Sequence, residues 1–238
     1  TGRRRGTGTV DAPLLVACGG HNQDGHDCMA DLYERGVREF LVDRYVDGSA
    51  FPGAGFIVAD KTLHALQVLA SHYRASFSGI MVGITGSNGK TAAKEAIAQT
   101  VPAGVKLFRS PRSYNYQLGV PLSLLMMDGD EDIALIEAGI SRPGEMERLA
   151  EIIRPNIGIF TGLGPEHGEN FESDKVKMRE KAQLFVPCSA IVYYDGQPLV
   201  PDTLSARVPP ADLVDASGGL PVPGGGPVRS AALAAAVF

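Results

Sequence analysis

Gly83-Ile-Thr-Gly-Ser-Asn-Gly-Lys-Thr91 is the stretch that decides the fold of this chain. Apolar residues 80–82 before it predict a short buried strand, and residues 92–101 after it predict a helix that Pro102 ends. Backbone N–H groups at such a glycine-rich turn can surround a phosphate, while the lysine adds a positive charge and the threonine hydroxyl can meet a magnesium ion. Ile84 stands where the first glycine of G-x-x-x-x-G-K-T belongs, so a turn that uses glycine only for its geometry is the alternative.

The bulk composition is that of an ordinary globular protein. Its 238 residues allow one large or two small domains, and 44% hydrophobic with 21% charged residues are typical of soluble chains. A formal net charge of −5 gives no general reason to expect nucleic acid or an anionic membrane as a partner. Three scattered cysteines and the lack of a signal-like or membrane-spanning apolar run predict a cytoplasmic protein with reduced thiols.

Alternating strands and helices predict an α/β protein with two domains. Residues 1–77 predict a small N-terminal α/β domain with a buried strand at residues 14–18. It ends in a helix that Asp60 caps and that packs through Leu63, Leu66, Leu69 and Ala70. Residues 78–238 predict a doubly wound, mostly parallel sheet that opens with the phosphate loop and binds its ligand at the carboxyl ends of the strands.

The loops of the second domain carry candidate ligands. Glu137 directly follows a buried strand, where a carboxylate can reach a magnesium ion on nucleotide phosphates; an acidic residue exposed at a strand end is the alternative. Ser141 is predicted to cap the next helix, and Ser173 is predicted to cap a later helix that runs through Phe185. His167 follows another strand, where a hydrogen-bonded surface histidine is the alternative to a ligand. The spacing of Lys181 alone favours a solvated surface lysine.

Residues 19–27, Gly-Gly-His-Asn-Gln-Asp-Gly-His-Asp, form a polar loop in the first domain. Two histidines and two aspartates in nine residues would suit a metal site, a polar ligand-binding loop or a plain surface loop. Metal sites usually take their ligands from rigid elements, so the loop alone gives a metal site little support.

Four segments occur in the order found in the Mur ligases, which build the peptide of bacterial cell-wall precursors. Residues 85–91 resemble the ATP loop of that family, and residues 110–122 resemble its substrate-proximal loop, with an asparagine in the matching place. Residues 137–145 look like its magnesium-carboxylate segment, and residues 166–185 look like its histidine and modified-lysine segments. The resemblance covers nearly the whole chain.

Within the family, Asp24-Gly-His26, Ser113-Tyr-Asn115 and Glu137-Ala-Gly-Ile140 look most like the last ligase of the series, which also occurs fused to an alanine racemase. The resemblance implies an ATP-dependent ligase that joins D-alanyl-D-alanine to UDP-N-acetylmuramoyl-tripeptide through an acyl phosphate, in peptidoglycan precursor synthesis. It implies that residues 1–77 bind the UDP-sugar and residues 78–238 bind ATP, and that the C-terminal ligase domain is absent. We expect a monomer that binds neither nucleic acid nor membrane.

The resemblance also assigns roles to single residues. ATP binding is implied for Gly86, Ser87, Asn88, Gly89, Lys90 and Thr91, and substrate binding for Asp24, Gly25, His26, Ser113 and Asn115. Lys90, His167 and Lys181 are implied to be catalytic. Thr91 and Glu137 would hold one Mg²⁺ ion, and His167 with carbamylated Lys181 would hold a second. Carbamylation makes an ammonium group into an anionic oxygen ligand, which suits a hard cation.

Several alternatives stay open. Another Mur ligase or a folylpolyglutamate synthetase would share the ATP loop. A nucleotide-binding module without ligase activity would fit the absent third domain and two departures, Gly162 and Ser230, where the family has asparagine. A generic P-loop kinase or GTPase leaves His167 and Lys181 unexplained.

Overall fold

The packing of the chain divides it into two compact units, residues 1–69 and residues 70–238. The computed structural model describes residues 13–19, 24–112, 114–193, 202–204 and 212–215. The boundary between the units falls within a helix that ends at Ala75, whereas the sequence places the domain boundary after residue 77.

The first unit contains a three-stranded parallel sheet in the order β1-β2-β3. The strands are β1 (Leu14–Val16), β2 (Glu39–Val42) and β3 (Gly55–Val58), and the helices are α1 (Met29–Glu34), after a 3-10 turn, and the first part of α2 (Thr62–Ala75). Residues 70–75 of α2 belong to the second unit. Phe40 is fully buried and stacks on Phe56 with ring centroids 5.4 Å apart. Aromatic stacking therefore anchors β2 to β3.

Three local predictions for this unit are wrong. Among the described strands, the strand at 14–16 pairs only with β2 and so lies at the edge of the sheet, and Leu14 is 40% exposed, so the strand is not buried. Asp60 does not cap α2, since the helix begins two residues later at Thr62. The buried positions of α2 include Thr62, Leu66 and Ala70, which recur every four residues along one face of the helix. Leu69 lies outside this face and is exposed.

The second unit contains a parallel sheet whose described strands have the order β5-β6-β4-β7-β8-β9. The strands are β4 (Ile80–Thr85), β5 (Leu107–Arg109), β6 (Ile133–Glu137), β7 (Ile157–Phe160), β8 (Ala190–Tyr193) and β9 (Asp212–Asp215). The helices are α3 (Lys90–Thr100), α4 (Gly119–Leu125), α5 (Glu145–Ile153) and α6 (Asp174–Ala182), and α6 continues as a 3-10 turn.

Alternate residues of these strands pack on opposite faces of the sheet. Val82 and Ile84 of β4 join a core with residues of α3. Met81 of the same strand joins a second core, with residues of α4, α5 and α6. Helices on both faces of a parallel sheet define a doubly wound fold, so the predicted fold class is confirmed.

One predicted helix cap in this unit is wrong and another is confirmed. α5 begins at Glu145, with Gly144 in a left-handed conformation (φ 81°) at its N-cap, so Ser141 does not cap the helix. The backbone N–H of Ser141 instead donates to the Glu145 carboxylate at 2.7 Å. Ser173 does cap α6, because its hydroxyl accepts a hydrogen bond from Val176 N at 3.3 Å.

Candidate active site

The candidate site lies where three neighbouring parallel strands end. β4 lies between β6 and β7, with Ile84 paired with Glu137 and Thr85 paired with Phe160. Because parallel strands end at the same edge of a sheet, the loops after these strands are adjacent. The phosphate loop therefore lies between the strand end that carries Glu137 and the loop after Phe160.

Two glycines shape the phosphate loop through positive φ angles, 149° at Gly86 and 84° at Gly89. A Cβ atom on Gly86 would come 2.1 Å from Thr161 Oγ1, so the loop backbone runs close to the neighbouring loop. The Thr161 hydroxyl donates to Asn88 O at 2.6 Å and holds the loop in place. Gly89 is the N-cap of α3, so the unpaired N–H groups at the helix start face the loop and suit an anion.

Lys90 lies over this loop and is only 8% exposed. Its ammonium group donates to Gly86 O at 2.9 Å and Ser87 O at 3.0 Å, and it lies 3.4 Å from Glu166 Oε2. The hydroxyl oxygens of Thr85 and Ser87 are buried without a hydrogen-bond partner among the described residues. Loop N–H groups, free hydroxyls and an ammonium together fit a nucleotide phosphate.

The Glu137 carboxylate is fully buried, so the alternative of an exposed strand-end acid is wrong. Thr91 Oγ1 donates to its Oε2 atom at 3.1 Å. Lys94 Nζ lies 2.8 Å from Oε1 as an ion pair, although that oxygen accepts no aligned hydrogen bond from the described residues. A hydroxyl and a carboxylate side by side match the oxygen ligands that Mg²⁺ prefers, so these residues fit the implied metal.

Lys181 is 2% exposed, and its ammonium donates to Gly86 O at 3.2 Å. The interpretation as a solvated surface lysine is therefore wrong. Burial, which is the largest cause, and the positive charges of Lys90 and Lys177 together lower the pKa of Lys181 to about 7, against the opposing effect of the Glu166 carboxylate. Near pH 7, Lys181 is consequently a neutral amine in a substantial fraction of the molecules.

His167 and Asn115 lie in the loops beside the phosphate loop. His167 has a φ of 55°, and its Nε2 atom lies 3.1 Å from the Tyr116 hydroxyl. Among the described residues, His167 has neither a hydrogen bond nor an ion pair with Lys181. Asn115 is buried; its carbonyl accepts from Gly139 N at 2.6 Å, and its Oδ1 atom has no described partner. Ser113 lies outside the described residues.

The predicted residues of the first unit form a compact polar cluster. Asp24 accepts a hydrogen bond from His26 N at 3.0 Å and forms an ion pair with Arg44. The His26 backbone hydrogen bond, followed by the one from Arg44, holds the pKa of the Asp24 carboxyl well below its usual range. A Cβ atom on Gly25 would lie 2.8 Å from Ala17 Cα, so only glycine lets the loop pass this strand end. Among the described residues, no three His, Cys, Asp or Glu side chains form a metal-binding group.

Sequence reasoning missed four charged residues of these clusters: Arg44, Lys94, Glu166 and Lys177. Lys177 is buried and donates to Gly164 O at 2.7 Å, and so supports the loop before His167. Lys94 could have been recognised from the sequence, because it lies four residues after Lys90 and therefore on the same face of the helix. The other three depend on contacts that no local pattern reports.

Comparison with known proteins places this geometry in a family. The Mur ligase middle domain matches residues 84–199. The UDP-N-acetylmuramoyl-tripeptide–D-alanyl-D-alanine ligase of Synechocystis sp. is 30% identical, over 87% of this chain and 53% of the relative. The ligase of the same name from Bacillus subtilis is 29% identical, over 82% of this chain and 43% of the relative. Residues 84–199 are a Mur ligase middle domain.

Solved Mur ligase structures share the fold. An Acinetobacter baumannii UDP-N-acetylmuramoylalanyl-D-glutamyl-2,6-diaminopimelate–D-alanyl-D-alanyl ligase superimposes with a TM-score of 0.81 at 20% identity, over 94% of this chain and 56% of that one. Thermotoga maritima MurF in complex with ADP gives 0.73 at 25% identity, over 84% of this chain and 46% of that one. A folylpolyglutamate synthetase of L. casei gives only 0.53 at 16% identity, over 64% of this chain and 49% of that one.

The chain spans about half the length of the curated relatives it matches. In the part of the chain that the structure describes, no helix is both long enough and apolar enough to cross a membrane.

Proposed function

We propose that this chain forms the UDP-sugar-binding and ATP-binding parts of a ligase that adds D-alanyl-D-alanine to UDP-N-acetylmuramoyl-tripeptide. The observation that carries this proposal is the meeting of Lys90, the Thr91–Glu137 pair and buried Lys181 at one edge of the parallel sheet. Relatives named for this reaction match most of the chain, and a MurF structure similar to it holds ADP. We also propose a cytoplasmic monomer without a nucleic-acid or membrane partner.

The proposed reaction needs ATP because a carboxylate is a poor acyl donor. Attack of the tripeptide carboxylate on the γ-phosphorus would form an acyl phosphate and release ADP. The amine of D-alanyl-D-alanine would then attack the acyl carbon, and inorganic phosphate would leave as the amide bond forms. Phosphoryl transfer relies mainly on positioning and charge stabilisation, which the phosphate loop and the ammonium group of Lys90 are built to supply.

Magnesium, when bound, would neutralise the negative charge of the nucleotide phosphates. Thr91 and Glu137 would hold one ion, and His167 with carbamylated Lys181 would hold a second. The buried amine of Lys181 is suited to carbamylation, because its pKa of about 7 leaves the nitrogen lone pair free to attack dissolved CO₂. The N–C bond forms as one C=O bond becomes C–O⁻, and the nitrogen loses a proton to solvent.

Polar groups beside the phosphate loop would bind the acceptor substrate. The Asn115 amide oxygen is buried without a described partner, which suits a donor group on the peptide. In the first unit, Asp24, Gly25 and His26 would contact the UDP-sugar. The low pKa of Asp24 keeps this carboxylate charged and able to accept hydrogen bonds.

Phosphate release from ATP by the intact protein tests the proposal. We expect release to require both UDP-N-acetylmuramoyl-tripeptide and D-alanyl-D-alanine. Release with a reduced folate and glutamate instead would favour a folylpolyglutamate synthetase, and ATP binding without release would favour a nucleotide-binding module. Lys181→Ala should abolish acyl-phosphate formation, and wild-type activity in this variant would remove the role of the carbamate.

A further inference from the structure

The buried face of α3 carries a second lysine that the proposed chemistry leaves without a role. Lys90, Ala93, Lys94 and Ile97 are the buried residues of this helix, and the side chain of Lys94 is fully buried. Burial of an ammonium group costs free energy unless the charge is paired and its N–H groups are hydrogen bonded. The acceptors around Lys94 therefore indicate what this side chain does.

Lys94 Nζ has three oxygen atoms within 3.0 Å, and the Glu95 carboxylate lies 3.7 Å away. It donates to Ser110 O at 2.6 Å and to Arg112 O at 3.0 Å, and it lies 2.8 Å from Glu137 Oε1. Two of these acceptors belong to the loop after β5, and the third lies at the end of β6. One side chain thus joins the helix of the phosphate loop to the loop after β5 and to the end of β6.

The contact with Glu137 fixes the orientation of its carboxylate. Oε2 accepts from Thr91 Oγ1, while Oε1 faces the ammonium group of Lys94. Thr91 and Lys94 are three residues apart on α3, so one helix holds both oxygens of one carboxylate. Without Lys94, a single hydroxyl would hold a buried carboxylate that could rotate away from Thr91.

The contacts with residues 110–112 reach the opposite side of the site. Ser110 Oγ accepts from Glu137 N at 3.3 Å, and further along the same loop Asn115 O accepts from Gly139 N at 2.6 Å. The loop that carries Asn115 is therefore fixed at its start by Lys94 and at Asn115 by the segment after β6. A shift of the Lys94 ammonium would move both the carboxylate and this loop.

We propose that Lys94 is a positioning residue that holds the Glu137 carboxylate toward Thr91 for magnesium and ties the phosphate-loop helix to the loop of Asn115. This inference rests on the proposed function, because it assumes a nucleotide bound with magnesium. Lys94 acts through Glu137, since its ammonium group donates to two backbone carbonyls and forms an ion pair with that carboxylate.

Calorimetric titration of the intact protein with ADP, in magnesium and in EDTA, tests this role. The readout is the magnesium ratio, which is the ADP affinity in magnesium divided by the ADP affinity in EDTA. We expect Lys94→Met to reduce this ratio by roughly tenfold to a hundredfold, the usual effect of removing a residue that orients a metal ligand. ADP affinity in EDTA should be unchanged, because none of the contacts described for the Lys94 ammonium involves the phosphate loop.

The matched control is Arg74→Met, which removes another buried cation from the same unit. The Arg74 guanidinium donates to the carbonyls of Ile153, Arg154 and Phe77, at the opposite edge of the sheet. A purely structural loss should lower the melting temperature in either variant but leave the magnesium ratio of Arg74→Met at the wild-type value.

A wild-type magnesium ratio in folded Lys94→Met would overturn the inference. If that variant does not fold, Lys94→Gln decides the question, since it removes the charge and keeps a donor for the loop carbonyls. A wild-type ratio in Lys94→Gln would also overturn it, and a reduced ratio supports it. If the wild-type protein binds ADP with the same affinity in magnesium and in EDTA, the proposed function itself is wrong. A magnesium-dependent wild type with an unaffected Lys94 variant would instead contradict only the role of Lys94.

Discussion

Replacement of Lys181 with methionine should change how the stability of the protein depends on pH. The folded pKa of Lys181 is about 7, below its ordinary value of 10.5, because the side chain is buried beside Lys90. Between these two values the unfolded chain holds a proton that the folded chain lacks, so stability rises with pH across this window. Below pH 7 both states are protonated, and the destabilising effect of the buried charge is present in full.

The size of the effect follows from the pKa shift. One pKa unit corresponds to about 1.4 kcal/mol, so the free energy of unfolding of the wild type should rise by about 3 kcal/mol between pH 6 and pH 9, relative to Lys181→Met. The difference between the two proteins should be largest at low pH, where methionine avoids a buried ammonium. It should shrink steadily as Lys181 becomes neutral in the wild type.

Urea unfolding at pH 6, 7, 8 and 9, in buffers free of CO₂, measures this difference. The absence of CO₂ keeps Lys181 from forming a carbamate during the measurement. Lys175→Met is the control, since it removes an exposed lysine from the same helix. Parallel pH profiles for the wild type and Lys181→Met would refute the reasoning, because a lysine with an ordinary pKa gives no such slope.

Two further predictions concern the phosphate loop and a buried cation. Gly86→Ala should weaken ADP binding and lower the free energy of unfolding by about 1–3 kcal/mol, because the added Cβ would lie 2.1 Å from Thr161 Oγ1 at a positive φ. ADP titration measures the affinity, and thermal melts measure the stability. The control Gly168→Ala, where a Cβ meets no atom within 4 Å, should change neither the affinity nor the stability. Arg74→Met should lower the free energy of unfolding by about 3 kcal/mol, at about 1 kcal/mol for each lost hydrogen bond to a carbonyl. Arg148 is exposed, so Arg148→Met should leave this free energy unchanged. Equal urea midpoints for the two variants would contradict the prediction.

Strands and helices could be predicted because their patterns are local. Alternation between strands and helices is enough to indicate a doubly wound sheet, and the phosphate loop marks its central strand. Helix caps are harder to predict from the sequence, because several nearby residues can satisfy the same backbone groups. Ser141 has the chemistry of a cap, but Gly144 adopts the left-handed turn that starts α5.

The environment of the site residues could not be predicted from spacing. Lys181 and a surface lysine look alike in the sequence, because only packing against Gly86 buries the ammonium. The resemblance to Mur ligases, rather than spacing, singled out Lys181. Lys94 could have been found from its place on the apolar face of α3, whereas Arg44 meets Asp24 only through folding of the first unit.

The central position of β4 has a consequence for how the protein is made. Ile84 pairs with Glu137, 53 residues later, and with Ile159, 75 residues later. At about 5–20 residues per second, the strand that carries the phosphate loop is synthesised roughly 4–15 s before its second neighbour. During that interval the nascent chain exposes an apolar strand with an unpaired edge, which is the kind of segment that chaperones bind and that slows folding.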